Sequence, residues 1–232
     1  MIALIPARKG SKRLKGKNFK YLNKKPLIHW TIKEAKKSKF IEKIFISSDC
    51  KKIINYSKKF GIENMGIRPK KLSGDTAKAI DVYLYEFKKI IEKYNCEKNF
   101  VVLLPTSPLR KKKDIDNAIR IYKKKKLESL ISCKKINKNY ENWKFKISGK
   151  DNLIKISKKN KINLIQNAKQ SEHYIPNGSI YIFNYDILRK NKNYYTKKTA
   201  AYVMDDISSL DIDTADDFDY CEFLSKKFKI LN

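Results

Sequence analysis

Acidic residues are scarce in this chain of 232 residues. Only 24 side chains are Asp or Glu, against 54 that are Lys or Arg, which gives a formal net charge of +30. Arginine is scarce as well, since six arginines leave 48 lysines among the basic residues. Proteins that read nucleic acids generally favour arginine, because its planar guanidinium forms paired hydrogen bonds with phosphates and bases. The composition therefore disfavours nucleic acid as a main partner and indicates a field that attracts a small anionic substrate.

Long apolar runs, clustered cysteines and a leader-like N-terminus are also missing. No stretch approaches 18 consecutive apolar residues, so we expect no transmembrane helix. Apolar residues come first at the N-terminus and basic ones after, the reverse of a secretory signal, so we expect a cytoplasmic protein. Cys50, Cys96, Cys133 and Cys221 show no C-x-x-C spacing and predict neither a zinc site nor a disulfide framework.

The most informative segment follows the first apolar run. Residues 2–5 predict a short buried strand, which Pro6 ends, and a basic loop with Gly10, Ser11 and Gly16 follows. Glycine lets backbone N–H groups approach phosphate oxygens, and ligands of α/β folds bind where strands end. The loop therefore predicts a polyphosphate site, with a solvated lysine-rich loop as the alternative. Six cations fall within ten residues: Arg8, Lys9, Lys12, Arg13, Lys15 and Lys17.

Strand-like and helix-like segments alternate along the chain, which predicts an α/β fold with a mostly parallel sheet. Residues 73–76 are candidates to cap the third helix. Residues 134–175 are polar, with Tyr140, Trp143 and Phe145 in near-alternation, and we interpret them as a hairpin excursion within a single domain spanning 1–232. The predicted strands are 2–5, 44–47, 100–104, 129–132, 179–183 and 201–204, and the predicted helices are 26–35, 51–60, 76–94, 114–125 and 214–228.

Seven aspartates lie within fifteen residues near the end of the chain. Asp211 and Asp213 are two apart in an extended run before a helix, so we expect both side chains near solvent on one side of a strand end. Two such carboxylates can hold Mg²⁺, which keeps waters and bridges phosphate oxygens. Thr214 and Asp217 have the spacing of a helix cap. The complete set is Asp205, Asp206, Asp211, Asp213, Asp216, Asp217 and Asp219.

Several segments, in order, resemble the CMP-sialic acid synthetase family of cytidylyltransferases. They are IPARKGSKRLKGKN at 5–18, RPKKLSGDTA at 68–77, LLPTSPLR at 103–110, and PNGSIYIF at 176–183 followed by SLDIDTADD at 209–217. The resemblance implies a Rossmann-like nucleotidyltransferase fold with helices on both faces of the sheet. It also implies that the 134–175 excursion reaches a second subunit and makes a homodimer.

The reaction that the resemblance implies is Mg²⁺-dependent. The anomeric hydroxyl of a nine-carbon 2-keto acid sugar attacks the α-phosphorus of CTP, giving a CMP-sugar and pyrophosphate. The sugar is a sialic, legionaminic or related nonulosonic acid; the near alternative is 3-deoxy-octulosonate or its 8-amino analogue. A non-catalytic anion-binding protein is the alternative from another class, which the carboxylate pair argues against.

The resemblance also implies roles for individual residues. Arg8, Lys12 and Lys17 contact the CTP phosphates, Asn18 contacts the base or ribose, and Arg68 with the backbone near Ala77 selects cytosine. An Asx turn is the alternative for Asn18. Catalysis is assigned to Arg8, Lys12, Asp211 and Asp213, and the metal to the two aspartates. The sugar site comprises Leu104, Lys144, Lys169, Asn177, Tyr181, Tyr194 and Tyr195. Arg13, Leu104 and Lys169 depart from the sialic-acid pattern and leave the sugar open.

Overall fold

The predicted alternation of strands and helices is present in the computed structural model, which describes residues 1–136, 146–148, 153–155 and 173–231. The strands are β1 (Ile2–Pro6), β2 (Tyr21–Leu22), β3 (Lys25–Pro26), β4 (Lys43–Ser47), β5 (Glu63–Asn64), β6 (Asn99–Leu103), β7 (Ser129–Ile136), β8 (Lys146–Ser148), β9 (Leu153–Lys155), β10 (His173–Asn184) and β11 (Thr199–Met204). The helices are α1 (Leu27–Lys36), α2 (Lys51–Lys58), α3 (Ala79–Tyr94), α4 (Lys112–Lys124), α5 (Tyr185–Asn191) and α6 (Ala215–Lys227).

Seven strands form the central sheet, in the order β11-β7-β10-β6-β1-β4-β5. All neighbours are parallel except β10, which runs antiparallel to both β6 and β7. The predicted mostly parallel sheet is confirmed. It could not be read from the sequence that β10 reverses, because a buried apolar run looks the same in either direction.

Successive residues of β1 point to opposite faces of the sheet, and both faces are covered. Ala3 and Ile5 belong to a core that includes residues of α1, α2 and α4. Ile2 and Leu4 belong to a second core, which includes residues of α3 and the start of α5. A strand buried on both faces reads as a continuous apolar run, as residues 2–5 do. The prediction of helices on both faces is therefore confirmed.

Three adjacent parallel strands, β6, β1 and β4, end at the same edge of the sheet. The backbone N–H of Ala7 donates to the carbonyl of Ser47 at 2.9 Å, which carries the pairing of β1 and β4 one residue into the basic loop. The segments that follow these strands, beginning at residues 7, 48 and 104, therefore meet at one edge. This is where parallel sheets bind their ligands.

The third and last helices test the predicted caps. The start predicted for α3 is wrong: the helix begins at Ala79 after Lys78, and residues 73–76 form the turn before it instead of a cap. The cap of α6 is confirmed, because Thr214 accepts from the Asp217 N–H while the Asp217 carboxylate accepts from the Thr214 N–H. Helix α5 and the short strands β2, β3 and β5 were not predicted.

The ends of the predicted 134–175 excursion belong to the central sheet. β7 continues to Ile136, which pairs with His173 at the start of β10. Between them, β8 and β9 pair as a two-stranded antiparallel hairpin. The alternating aromatics at 140, 143 and 145 lie outside the described residues, so the rest of the excursion stays a prediction.

No helix in the described ranges is long and apolar enough to cross a membrane.

Candidate active site

Two adjoining hollows open at the carboxyl edge of β1, β4 and β6. The inner hollow, of about 320 Å³, is lined by residues from all of the segments that follow these strands, including Arg68, Ala77, Leu104 and Thr106. The outer hollow, of about 390 Å³, is lined mainly by the basic loop. Arg8, Lys17, Asn18, Asp75 and Asp213 line both hollows.

Size alone does not identify this site. Two larger hollows of about 540 and 520 Å³ lie beside the C-terminal tail, and none of the residues predicted to bind substrate lines them. The inner and outer hollows are distinguished by chemistry, since every predicted CTP residue lines one or both of them.

The local fold of the basic loop fixes Lys17 and Asn18. Gly16 adopts φ 64°, a conformation that glycine accepts at little cost, and a 3-10 turn from Lys17 to Phe19 follows. This turn buries Asn18, whose Nδ2 donates to the carbonyl of Arg8 at 2.9 Å. The Asx-turn alternative is wrong, because such a turn needs the Asn18 Oδ1 to accept from a nearby backbone N–H, and no such bond is present among the described residues. The Asn18 Oδ1 is buried and has no hydrogen-bond partner in the described part of the chain.

Arg68 is the most unusual side chain of the inner hollow. It is only 5% exposed, and its Nε and Nη2 have no hydrogen-bond partner among the residues that the structure describes. Burial lowers the pKa of Arg68, and the charges of Asp49 and Glu86 oppose that shift. A buried guanidinium with unused donors is costly unless a ligand accepts from it. Arg68 is therefore a ready donor for acceptor atoms inside the inner hollow.

The four cations at the core of the basic loop are held in pairs by two carboxylates. Asp75 forms ion pairs through both oxygens: Oδ1 with Arg8 Nη1 and Oδ2 with Lys12 Nζ, each at 3.0 Å. Asp213 does the same: Oδ1 pairs with Lys17 Nζ and Oδ2 with Arg13 Nη2, each at 2.9 Å.

Lys17 Nζ also donates to the carbonyl of Ile212 at 2.9 Å, which fixes the basic loop against the segment before α6. Four positive charges around one small hollow suit a polyphosphate.

Asp211 and Asp213 line the same inner hollow but have different surroundings. Asp211 is half-buried, and burial raises its pKa, while the polar Thr106 side chain opposes that shift. Its Oδ1 is buried without a hydrogen-bond partner in the described ranges. The expected strand-end position near solvent is wrong for Asp211. Residues 210–213 are not a strand, and the backbone N–H of Ile212 donates to Thr106, which draws the segment inward.

The carboxylate of Asp211 also lies against Gly178. A Cβ at position 178 would be 3.1 Å from Asp211 Oδ2, and Gly178 has φ 71°. Glycine is therefore required there on two grounds, the left-handed backbone and the close approach of the carboxylate.

The residues that are present fit a divalent cation only in part. No group of three or more His, Cys, Asp and Glu side chains within the described ranges is arranged to hold a metal. The buried, unpartnered Oδ1 of Asp211 is nevertheless the kind of hard oxygen ligand that Mg²⁺ prefers. Mg²⁺ usually takes one or two carboxylates and completes its shell with water and substrate phosphates. A site of that kind fits Asp211, with Asp213 beside it.

The predicted sugar residues do not all come together. Leu104 lines the inner hollow, whereas Lys144 and Lys169 lie outside the described residues. Asn177 is buried, and its amide contacts Ser132, Ser179 and Ser209. That amide joins β7, β10 and the segment before α6, a different role from the predicted sugar contact.

The two adjacent tyrosines point in different directions. Tyr194 packs on Tyr181 and stacks on Phe183, as part of the core over β10. Tyr195 is 59% exposed. The structure therefore separates the two tyrosines that the resemblance assigned to the sugar site: one is packed in the core and the other faces solvent.

Sequence reasoning missed two residues that shape the site. Asp75 stands in the RPKKLSGDTA segment, and the shortage of acids in a chain with such a basic loop could have drawn attention to it. Arg110 is 1% exposed, and burial lowers its pKa to about 10. Its guanidinium donates to the carbonyls of Leu104 and Ser179 and to the Thr31 hydroxyl, which fixes the loop after β6 to β10.

Comparisons with known proteins identify the family of the chain. A family model described as "Cytidylyltransferase" matches residues 2–231. A CMP-N,N'-diacetyllegionaminic acid synthase of Legionella pneumophila is 34% identical over 228 residues, 97% of this chain and 95% of that protein. An N-acylneuraminate cytidylyltransferase of Escherichia coli is 31% identical over 238 residues, 98% of this chain and 52% of that protein, so the chain spans about half of its length.

A solved structure, CMP:2-keto-3-deoxy-manno-octonic acid synthetase complexed with CTP, has the same fold. It superposes with a TM-score of 0.71 at 16% identity and covers 98% of both chains.

Proposed function

Because the chain belongs to the cytidylyltransferase family, we propose that it couples CTP to the anomeric hydroxyl of a nine-carbon 2-keto acid sugar. The products are a CMP-sugar and pyrophosphate. The observation that carries the proposal is the juxtaposition, at one edge of the sheet, of a buried Arg68 that lacks partners for two donors in the described ranges, a group of four cations, and a half-buried Asp211.

Cytosine is assigned to the inner hollow. Cytosine presents two acceptors, O2 and N3, and the Nε and Nη2 of Arg68, which have no partner among the described residues, are two donors on one guanidinium. The Oδ1 of Asn18, which also has no partner in the part of the chain that the structure describes, is an acceptor in the same hollow and suits an amino or hydroxyl donor of the base or ribose. A ligand with this pattern satisfies three buried polar atoms that lack protein partners in the described ranges, which favours its binding.

The triphosphate is assigned to the outer hollow and the basic loop. Arg8, Lys12 and Lys17 neutralise phosphate oxygens and hold the α-phosphorus in place for attack. The sugar hydroxyl oxygen forms a bond to the α-phosphorus, and the bond to the bridging oxygen breaks. Pyrophosphate leaves with that electron pair. The hydroxyl proton passes to a carboxylate, for which Asp213 beside Lys17 is a candidate.

We include Mg²⁺ in the proposal, held by Asp211 with Asp213 in support. When bound, the ion supplies charge neutralisation at phosphate oxygens. Arg110 fixes the loop that carries Thr106, and the Thr106 carbonyl accepts from the backbone N–H of Ile212, so the segment that carries Asp211 is held in place without the ion.

The sugar class is proposed from the relatives at 31 and 34% identity, whose names specify N-acylneuraminate and legionaminic acid. The octulosonate alternative rests on a fold neighbour at 16% identity, which supports the fold alone. Pyrophosphate release with CTP and a panel of 2-keto acid sugars separates the two. We expect the highest kcat/KM with a nonulosonic acid; a preference for 3-deoxy-octulosonate would overturn the sugar assignment and keep the cytidylyl transfer.

We also propose a homodimer built partly from the 134–175 excursion. Tyr174 and Ile175, at the root of the excursion, are 43% and 39% exposed, and Val203 on the edge strand β11 is 51% exposed. Exposed apolar residues of this kind are typical of an interaction surface when they are contiguous. Light scattering at micromolar concentration tests the dimer, and a monomer would contradict it.

The cytoplasmic location stays a prediction, which cell fractionation tests.

A further inference from the structure

One carboxylate of the phosphate site has no role in the reaction derived above. Asp75 lies in the turn between the 3-10 turn Lys70–Leu72 and α3, opposite the basic loop. Its two oxygens accept from Arg8 and Lys12, one oxygen to each cation at 3.0 Å. Arg8 Nη1 also reaches the carbonyl of Ser73 at 3.4 Å. The same turn thus contacts the first cation of the basic loop twice.

Asp75 makes the contacts that a phosphate makes. A phosphate bound between an Arg and a Lys side chain would likewise offer one oxygen to each cation. Asp75 is ionised at neutral pH, and hydrogen bonds from Lys12 and Arg8 lower its pKa further. Asp75 lines both hollows, so it stands where the nucleoside and phosphate parts of the site meet.

An acidic residue at this position is unexpected for a site that binds an anion. A negative charge inside a phosphate site opposes the substrate unless it leaves the cations when the substrate arrives. The turn that carries Asp75 allows this, since the Asp75 side chain is 44% exposed and, among the described residues, only its ion pairs with Arg8 and Lys12 hold it. Exposed ion pairs are weak and exchange readily with a stronger anion.

We propose that Asp75 is an internal substitute for phosphate: it positions Arg8 and Lys12 in the empty site and exchanges with the phosphate oxygens of CTP. The inference rests on the proposed function and deepens it. The carboxylate keeps two mobile side chains ordered before substrate binds. It also returns to them as pyrophosphate leaves, so that it weakens product binding and speeds release.

Calorimetric titration with sodium pyrophosphate tests this exchange directly. Asp75→Asn and Asp75→Ala each leave Arg8 and Lys12 without their competitor, so we expect both variants to bind pyrophosphate about fivefold more tightly than the wild type. If both variants bind pyrophosphate equally tightly, the new amide of asparagine is not the cause of the tighter binding. Slower turnover with a lower KM for CTP is expected in the same variants, because release of pyrophosphate becomes limiting.

Glu97→Gln is the matched control, because it removes one exposed carboxylate two residues before β6, at the opposite edge of the sheet. It should leave pyrophosphate affinity unchanged, which separates local exchange from a change in net charge.

Equal or weaker binding by both Asp75 variants would overturn the inference and show that Asp75 only orders the loop. If the wild type bound neither pyrophosphate nor CTP, the proposed function would fail together with it.

Discussion

Replacement of Arg68 by methionine should stabilise the nucleotide-free protein and weaken its binding of CTP. Arg68 is buried with two donor nitrogens unpartnered in the described ranges, and each unsatisfied buried donor costs about 1–3 kcal/mol. Asp49 and Glu86 partly compensate the charge, which reduces the gain when it is removed. We therefore expect Arg68→Met to raise the free energy of unfolding by about 1 kcal/mol, which corresponds to roughly 2–4 °C in Tm for a chain of this size.

The same substitution should weaken CTP binding strongly. Hydrogen bonds to a charged donor contribute about 1.5–3 kcal/mol each, so loss of Arg68 should raise the Kd for CTP about 10- to 100-fold. Thermal unfolding without nucleotide and calorimetric titration with CTP measure the two effects separately.

Arg120→Met is the control for Arg68→Met. Arg120 is exposed on α4 and contacts the Asn117 side chain, so its loss should change stability by no more than about 0.5 kcal/mol and leave CTP binding intact. The reasoning is refuted if Arg68→Met lowers the free energy of unfolding by more than about 1 kcal/mol while CTP binds as in the wild type. Arg68 would then be a structural residue.

Three other predictions concern the aspartates and their neighbours. Asp211→Asn should keep the fold and lower turnover by on the order of 10²-fold, about 2.7 kcal/mol of barrier, in a steady-state assay; near-normal turnover would remove Asp211 from the reaction. Asp217→Ala should lower the free energy of unfolding by about 0.5–2 kcal/mol with turnover kept. Although burial opposes the shift, hydrogen bonds from Thr214 and the Asp213 N–H lower the pKa of Asp217. Urea melts should therefore show the Asp217 contribution in full above its ordinary pKa of 3.8 and a loss of it as pH falls through the lower folded value; a contribution that grew at low pH would contradict this. Gly178→Ala should cost about 1–2 kcal/mol of stability, because alanine disfavours the left-handed backbone at this position, and should lower turnover, since the new Cβ meets Asp211 Oδ2; full activity would show that Asp211 can move freely.

Local patterns predicted what local physics determines. The apolar run at residues 2–5 became β1 because a central strand of a parallel sheet is apolar on both faces. The Thr214 and Asp217 spacing became a capping box because both partners lie within one helical turn. The start of α3 was misjudged because Gly74, Asp75 and Thr76 suit a turn as well as a cap.

The charge state and exposure of the site could not be predicted, because they depend on contacts far apart in the chain. Asp211 is drawn inward by Thr106, about a hundred residues earlier, and the Gly178 backbone lies beside its carboxylate. Arg68 is buried without a partner in the described ranges, which no spacing in the sequence indicates. The pairing of Arg8 and Lys12 with Asp75 likewise joins segments some 65 residues apart.

Identification of the products formed from CTP and a nonulosonic acid tests the central claim most directly. The protein, Mg²⁺, CTP and N-acetylneuraminate or a legionaminic acid are incubated, and the products are separated and weighed by mass spectrometry. The account predicts a CMP-sugar and pyrophosphate in equal amounts, with no such product when UTP replaces CTP. Formation of CDP with a phosphorylated sugar would contradict the claim. So would turnover of UTP at the same rate as CTP, and so would a failure to consume CTP with any sugar of the panel.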